Sequence, residues 1–205
     1  MTIKRIKALA AGSTFLATGG GFAFGPKLKA LLATQSVSIV SASELDDNDT
    51  LCAICGIGSA GEQKEIDIGG TAKIAIAKIE EITGKKIKAI IPGEVGVENI
   101  IFDIAKSTGL PVFDGDTAGR RAVPEMNQDT FFIADESILP VVVATPEGEI
   151  KIIDEPGTDL SVEPIARQMA INSKSKTSII VSHVRSVQKI KNIISLGSMS
   201  TAMQA

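Results

Sequence analysis

One stretch constrains what the rest of the chain can fold into. Residues 87–132 read IKAIIPGEVGVENIIFDIAKSTGLPVFDGDTAGRRAVPEMNQDTFF. Lys88–Ile91 is a short apolar run broken by Pro92-Gly93. Val97, Ile100, Ile101, Ile104 and Ala105 then recur at helical spacing, and Gly109 followed by Pro111 stops that helix. Pro111-Val112-Phe113 enters a second strand. The pattern predicts a βαβ unit, whose crossover is almost always right-handed. Two parallel strands end on one edge of their sheet, and ligands of open α/β sheets sit in the crevice outside those ends. The turn after the first strand carries Glu94; the segment after the second carries Asp114, Asp116 and Arg120. These groups are therefore expected to converge. Gly93, Gly96, Gly115 and Gly119 surround them, and glycine lets a backbone turn sharply and a ligand approach closely. The competing reading is a set of solvated loop acids, with Arg120 and Arg121 in surface ion pairs.

The remainder fits around that unit. Ile3–Ala17 is helical in pattern, with Ile6, Leu9, Ala10 and Ser13 on one side. It runs into Gly19-Gly20-Gly21, and Pro26 suits the first turn of a second helix, Pro26–Ala33. Consecutive glycines expose backbone N–H groups able to hold an anion or a carbonyl oxygen, although a plain turn explains them equally. The order GxGxxG is absent, no strand precedes the glycines, and no Gly-Lys-Ser/Thr follows, so neither a dinucleotide fingerprint nor a P-loop is present. Val37–Val40 and Thr50–Gly58 read as strands around an acidic turn, Ser43–Asp49, and Ser59–Ile68 as a polar loop. Ala72, Ala75, Ile76, Ile79 and Ile82 form a helix ended by Gly84. Thr130–Ala134 is strand-like. Leu139–Ala144 and Ile150–Ile153 flank Thr145-Pro-Glu-Gly-Glu as a hairpin within 139–154. Val162–Ala170 is a helix with Asp159 and Ser161 as caps, Thr177–Ser182 a β-branched strand, Val184–Leu196 a closing helix, and Gly197–Ala205 a loose end. The expected fold is one α/β domain over 1–205, with a mainly parallel, Rossmann-like sheet flanked by helices.

Composition excludes several functions. The net charge of −3 argues against non-specific nucleic-acid binding. With no Trp or Tyr and seven Phe, no stacking platform for single strands is visible. No apolar run reaches the roughly 18–20 residues of a membrane span, and the interrupted N-terminal segment does not read as a signal peptide, so the expected location is cytoplasmic. Cys52 and Cys55 form a CxxC, but on a strand positions i and i+3 face opposite sides, which suits two inert cysteines rather than a redox or zinc pair. His183 is the single histidine and is read as structural.

The motifs resemble one family. Gly19-Gly20-Gly21 after an N-terminal helix, Pro92-Gly93-Glu94-Val95-Gly96-x-x-Asn99, and Gly109-Leu110-Pro111-Val112-x-Asp114-Gly115-Asp116-x-x-Gly119-Arg120-Arg121-Ala122-x-Pro124-Glu125 are similar, in register, to the N-terminal domain of the S-methyl-thiohydantoin desulfurase family. The likeness extends to Ser195-Leu196-Gly197. It departs at Phe22 and at Val97-Glu98, where the family pattern is richer in glycine. The resemblance implies chemistry on hydantoin-type rings or related small cyclic amides. Cleaving an S-methyl group or opening such a ring needs an activated water and a held anion. Glu94, Asp114, Asp116 and Arg120 are the catalytic candidates. Gly19, Gly20, Gly21, Asn99 and Glu125 are the substrate-binding candidates. A metal-free site is one option; Mg²⁺ or Mn²⁺ on Glu94, Asp114, Asp116 and Glu125 is the other, since hard ions prefer oxygen ligands. Family members carry a second domain of similar size, so a non-catalytic module completed by a partner, or self-association into a homo-oligomer, is the alternative to an independent enzyme.

Overall fold

The computed structural model describes residues 1–17, 23–34, 36–58, 66–119, 129–154 and 159–205. A seven-stranded sheet organises them. In spatial order it holds β1 (Ile39–Val40), β4 (Val112–Phe113), β3 (Ile87–Pro92), β2 (Thr50–Gly58), β8 (Thr177–Ser186), β6 (Val141–Ala144) and β7 (Ile150–Ile153). The neighbours from β1 to β2 pair in parallel. β8 lies antiparallel between β2 and β6, and β6–β7 is the expected hairpin. β6 thus runs with the parallel set, and only β8 and β7 oppose it, which makes the sheet mainly parallel in direction and mixed in pairing.

The helices fall on two faces because alternate strand residues point to opposite sides. Cys52, Ile54, Ile90, Val142 and Val181 pack under α1 (Ile3–Leu16), α2 (Phe24–Ala33), α3 (Ile68–Thr83) and α4 (Glu98–Thr108). Leu51, Ala53, Ile91, Val143 and Ile180 pack under α5 (Thr130–Ile133), α6 (Val162–Asn172) and α7 (Val187–Ile190). α3 and α4 end as their glycines require: Gly84 and Gly109 take φ of 66° and 76°, a region L residues avoid. Among the described residues no helix is long and apolar enough to cross a membrane.

The βαβ reading of the central stretch holds, with β3, α4 and β4 in sequence and β3 parallel to β4. Five expectations are corrected. The strand Val37–Val40 shortens to Ile39–Val40. Thr130–Ala134 is not a strand: Asp129 accepts from the N–H groups of Phe131 and Phe132 and starts a one-turn helix there. Val184–Leu196 is not one helix. β8 continues to Ser186 after His183, the extra residue of a bulge against Leu51–Ala53, where φ is 54°; such bulges bend a strand without ending it. Only Val187–Ile190 is helical. The end of the chain is also ordered: β9 (Ser195–Leu196) pairs antiparallel with β5 (Gly115–Asp116), and α8 (Ser198–Ala202) buries Met199 and Ala202. α8 crosses α1 at Gly12, where an added Cβ would lie 1.6 Å from the Ala202 carbonyl oxygen. Asp159 and Ser161 do not cap α6 through their side chains as expected. Ser161 makes no side-chain cap bond, and the Asp159 carboxylate instead accepts from Ser137 Oγ and the Ile138 N–H.

Candidate functional site

The site is built on the turn that leaves β3. The Gly93 N–H donates to the Ile54 carbonyl of β2 (3.1 Å), and the Gly93 carbonyl accepts from the Ala118 N–H (2.8 Å) and Thr117 Oγ1 (3.2 Å). These bonds stitch the end of β3 to β2 on one side and to the turn after β5 on the other. The fit leaves no space for a side chain, since a Cβ at Gly93 would stand 2.5 Å from Cys55 Sγ. Glu94 follows directly and is exposed. Gly96, at φ 115°, closes the turn by donating its N–H to Glu98 Oε1 (2.9 Å) at the start of α4.

Asp114 and Asp116 leave β4 in alternation, and the C-terminal segment seats both. Asp114 accepts from the N–H groups of Met199 (2.8 Å) and Ser200 (3.2 Å) and from the Ser200 hydroxyl, so its carboxylate caps α8. Asp116 is 1% exposed. Its Oδ1 accepts from the Gly119 N–H (2.5 Å) and its Oδ2 from the Ser198 hydroxyl. Burial pushes the Asp116 carboxyl from 3.8 up to about 6. The bonds from Ser198, Gly119 and Ala118 oppose that rise, and the nearby charge of Glu94 adds to it. The Glu94 carboxyl is raised as well, first by the protein around it and then by Glu98. The Glu94 charge thus reaches Asp116, the first exposed and the second buried.

Of the expected site residues, Glu94 and Asp116 are linked by charge, Glu94 adding to the rise at Asp116. Asp114 sits beside them in sequence, but its oxygens are occupied by α8. Asn99 lies in the first turn of α4; Val97, not Asn99, is the N-cap, and Asn99 Oδ1 is buried without a hydrogen-bond partner. Gly19, Gly20, Gly21, Arg120 and Glu125 lie outside the described residues. Among the described residues no group of three or more His, Cys, Asp or Glu side chains is arranged to hold a metal ion.

Neighbouring groups complete the picture. Cys52 and Cys55 do face opposite sides of β2, in separate core clusters, and neither is in a disulfide. Burial, then Asp129 and Glu94, push the Cys55 thiol up to about 12. His183 is fully buried; its Nε2 meets Asp129 Oδ2 at 2.5 Å, its Nδ1 meets Ser182 Oγ at 2.7 Å, and Phe131 packs edge-on against it. It anchors α5 through Asp129. Two sets of contacts were not anticipated from the residues. Ser198 and Ser200 belong to a segment expected to be loose, and only their alternate spacing matches Asp114 and Asp116. Lys27 and Glu98 form a buried ion pair, Nζ to Oε2 3.4 Å. The available signal was Lys27 four residues before the buried Leu31, on the inward face of α2.

The seven-stranded, mainly parallel sheet with helices on both faces defines an α/β protein of the doubly wound kind. The particular family follows from comparison: residues 4–155 match the model described as "S-Me-THD-like, N-terminal domain", and the chain belongs to that family. The fold is similar to an X-ray crystal structure of a protein from Chromobacterium violaceum, with a TM-score of 0.76 and 18% sequence identity over 100% of this chain. The chain spans 60% of that protein's length. No curated protein matches the chain significantly.

Proposed function

We propose that the chain acts in the metabolism of hydantoin- and thiohydantoin-type cyclic amides, by hydrolytic cleavage in the crevice between Glu94 and Asp116. What supports this reading is a pair of raised carboxyls in unlike surroundings, Asp116 buried and Glu94 exposed, with the Glu94 charge adding to the rise at Asp116. A pair of acids held apart in environment divides the roles of base and acid. Above pH 6 the Asp116 carboxylate is ionised yet retains more basicity than a solvated aspartate, which suits it to take a proton from water. Water then adds to the ring carbon that bears the S-methyl group. The carbon–sulfur bond breaks, methanethiolate leaves and takes up a proton from the carboxylate pair, and a ring carbonyl remains. Asn99 Oδ1, an acceptor without a partner, suits a ring N–H. The backbone of Gly19–Gly21 and Arg120 are assigned to the developing anion, and Glu125 to the substrate.

A thermal-shift screen of hydantoins, thiohydantoins, 5-oxoproline, Mg²⁺ and Mn²⁺ tests the reading, because a ligand bound only by the native state raises the melting temperature by mass action. The expected result is a shift with one ring class that Asp116→Asn abolishes. A ring-dependent shift that needs Mg²⁺ or Mn²⁺ and is lost with chelator would replace the metal-free chemistry by a carboxylate–metal site. No shift with any ring would refute the reading in favour of a module completed by a second domain.

A further inference from the structure

The buried pair behind the crevice has no part in the chemistry above. Lys27 is fully buried on α2, and Glu98 is 2% exposed at the first residue of α4. Lys27 Nζ donates to Ser13 Oγ of α1 (3.1 Å) and faces Glu98 Oε2 at 3.4 Å. Glu98 Oε2 makes no hydrogen bond; Lys27 is its ion-pair partner. A buried ion pair is a weak source of stability, because desolvation of both charges offsets their attraction. An apolar pair would join the same three helices as well. What an apolar pair would not do is hold the backbone that follows Glu94: Glu98 Oε1 accepts the Gly96 N–H, two residues after Glu94.

We propose that Lys27 and Glu98 are a positioning pair for Glu94. Lys27 pairs with the Glu98 carboxylate at the start of α4. That carboxylate holds the Gly96 N–H just after Glu94, and its charge raises the Glu94 carboxyl. Among the charged and titratable groups of the packed elements, Glu98 from α4 raises Glu94, and Glu94 in turn raises Asp116 of β5 and the Cys55 thiol of β2. Asp116 and Cys55 have no cationic partner among the described residues, whereas Glu98 is paired with the buried Lys27. The significance for turnover rests on the acid–base role proposed for Glu94, but the electrostatic coupling is measurable without substrate.

The test is a carbon-13 NMR titration of the Glu94 side-chain carboxyl, assigned with Glu94→Gln, in the wild type, Glu98→Gln and Lys27→Met/Glu98→Gln. A glutamine at position 98 retains an oxygen for the Gly96 N–H and removes only the charge. The Glu94 midpoint is expected to fall in Glu98→Gln. It should fall less in the double variant, where the Lys27 charge is gone too. The double variant buries no lone charge, so it decides the matter even if Glu98→Gln fails to fold. A Glu94 midpoint unchanged in the variants would overturn the proposal and leave the pair a helix brace. A shifted midpoint in a protein that turns over no cyclic amide would keep the pair and remove the chemistry; turnover with an unshifted midpoint would do the reverse.

Discussion

Replacing Asp116 by Asn should stabilise the protein at neutral pH, and by an amount that depends on pH. The side chain is 1% exposed, and its hydrogen bonds survive the change: the amide oxygen still accepts from the Gly119 N–H, and the amide nitrogen can donate to Ser198 Oγ. What disappears is a buried charge. The folded-state carboxyl titrates near 6 against 3.8 for the ordinary group, so between those values the native state holds more protons than the unfolded one. Stability from this group is therefore full below 3.8, declines as pH rises, and is spent above 6. At 1.36 kcal/mol per pH unit the whole step is about 3 kcal/mol, of which about 2 kcal/mol falls between pH 4.5 and 7.5. Urea unfolding of both proteins at those two pH values, extrapolated linearly to water, measures it. The advantage of Asp116→Asn over wild type should grow by about 2 kcal/mol from the lower to the higher pH. A difference that does not change with pH, or that shrinks as pH rises, would refute the reasoning.

Three further outcomes follow from the same contacts. Ser198→Ala removes the hydroxyl from Asp116 Oδ2; since that bond opposes the rise, the Asp116 midpoint should climb further above about 6, at a stability cost of about 1–2 kcal/mol, both visible in a carboxyl titration and a urea melt. Gly12→Ala should destabilise by roughly 1–3 kcal/mol from overpacking although alanine favours a helix, because its Cβ would meet the Ala202 carbonyl oxygen at 1.6 Å; hydrogen exchange at Met199–Ala202 should quicken, while unchanged exchange would mean that α1 yields instead. Native Cys55, with its thiol pushed up to about 12, and native Cys52, raised by burial, should not react with a disulfide reagent at pH 8, whereas both should react once the chain is unfolded in urea; rapid labelling of the native protein would contradict the burial.

Much of this architecture was legible in the residues where local rules and the fold agree. The βαβ unit, the helix stops at Gly84 and Gly109, the 139–154 hairpin and the opposed cysteines rest on short-range periodicity and on glycine stereochemistry. Misreadings occurred where distant parts of the chain decide. Thr130-Phe131-Phe132-Ile133 has strand-like composition, yet the Asp129 cap and the fit of Phe131 against His183 impose a helical turn. Val184–Leu196 has helical spacing, but the N–H groups of Val187 and Gln188 bond to the Asp49 and Asp47 carbonyls, which fixes the chain just after the strand. Gly197–Ala205 carries little apolar signal of its own. It is held by Asp114 and Asp116 and by the notch at Gly12, all remote in sequence. The buried Lys27 was hidden for a related reason: a lysine is read as a solvated group unless its partner, here on another helix, is known.

In the proposed chemistry Asp116 acts as a base on a cyclic amide. The most direct test is the release of methanethiol from an S-methyl thiohydantoin, followed as a function of pH for the wild type and for Asp116→Asn. The account predicts turnover that rises with pH through an inflection near the Asp116 midpoint of about 6, and a variant that folds but falls by at least about 10²-fold, the usual worth of a positioned base. Turnover by Asp116→Asn at the wild-type rate, or a wild-type profile with no inflection in that region, would contradict it.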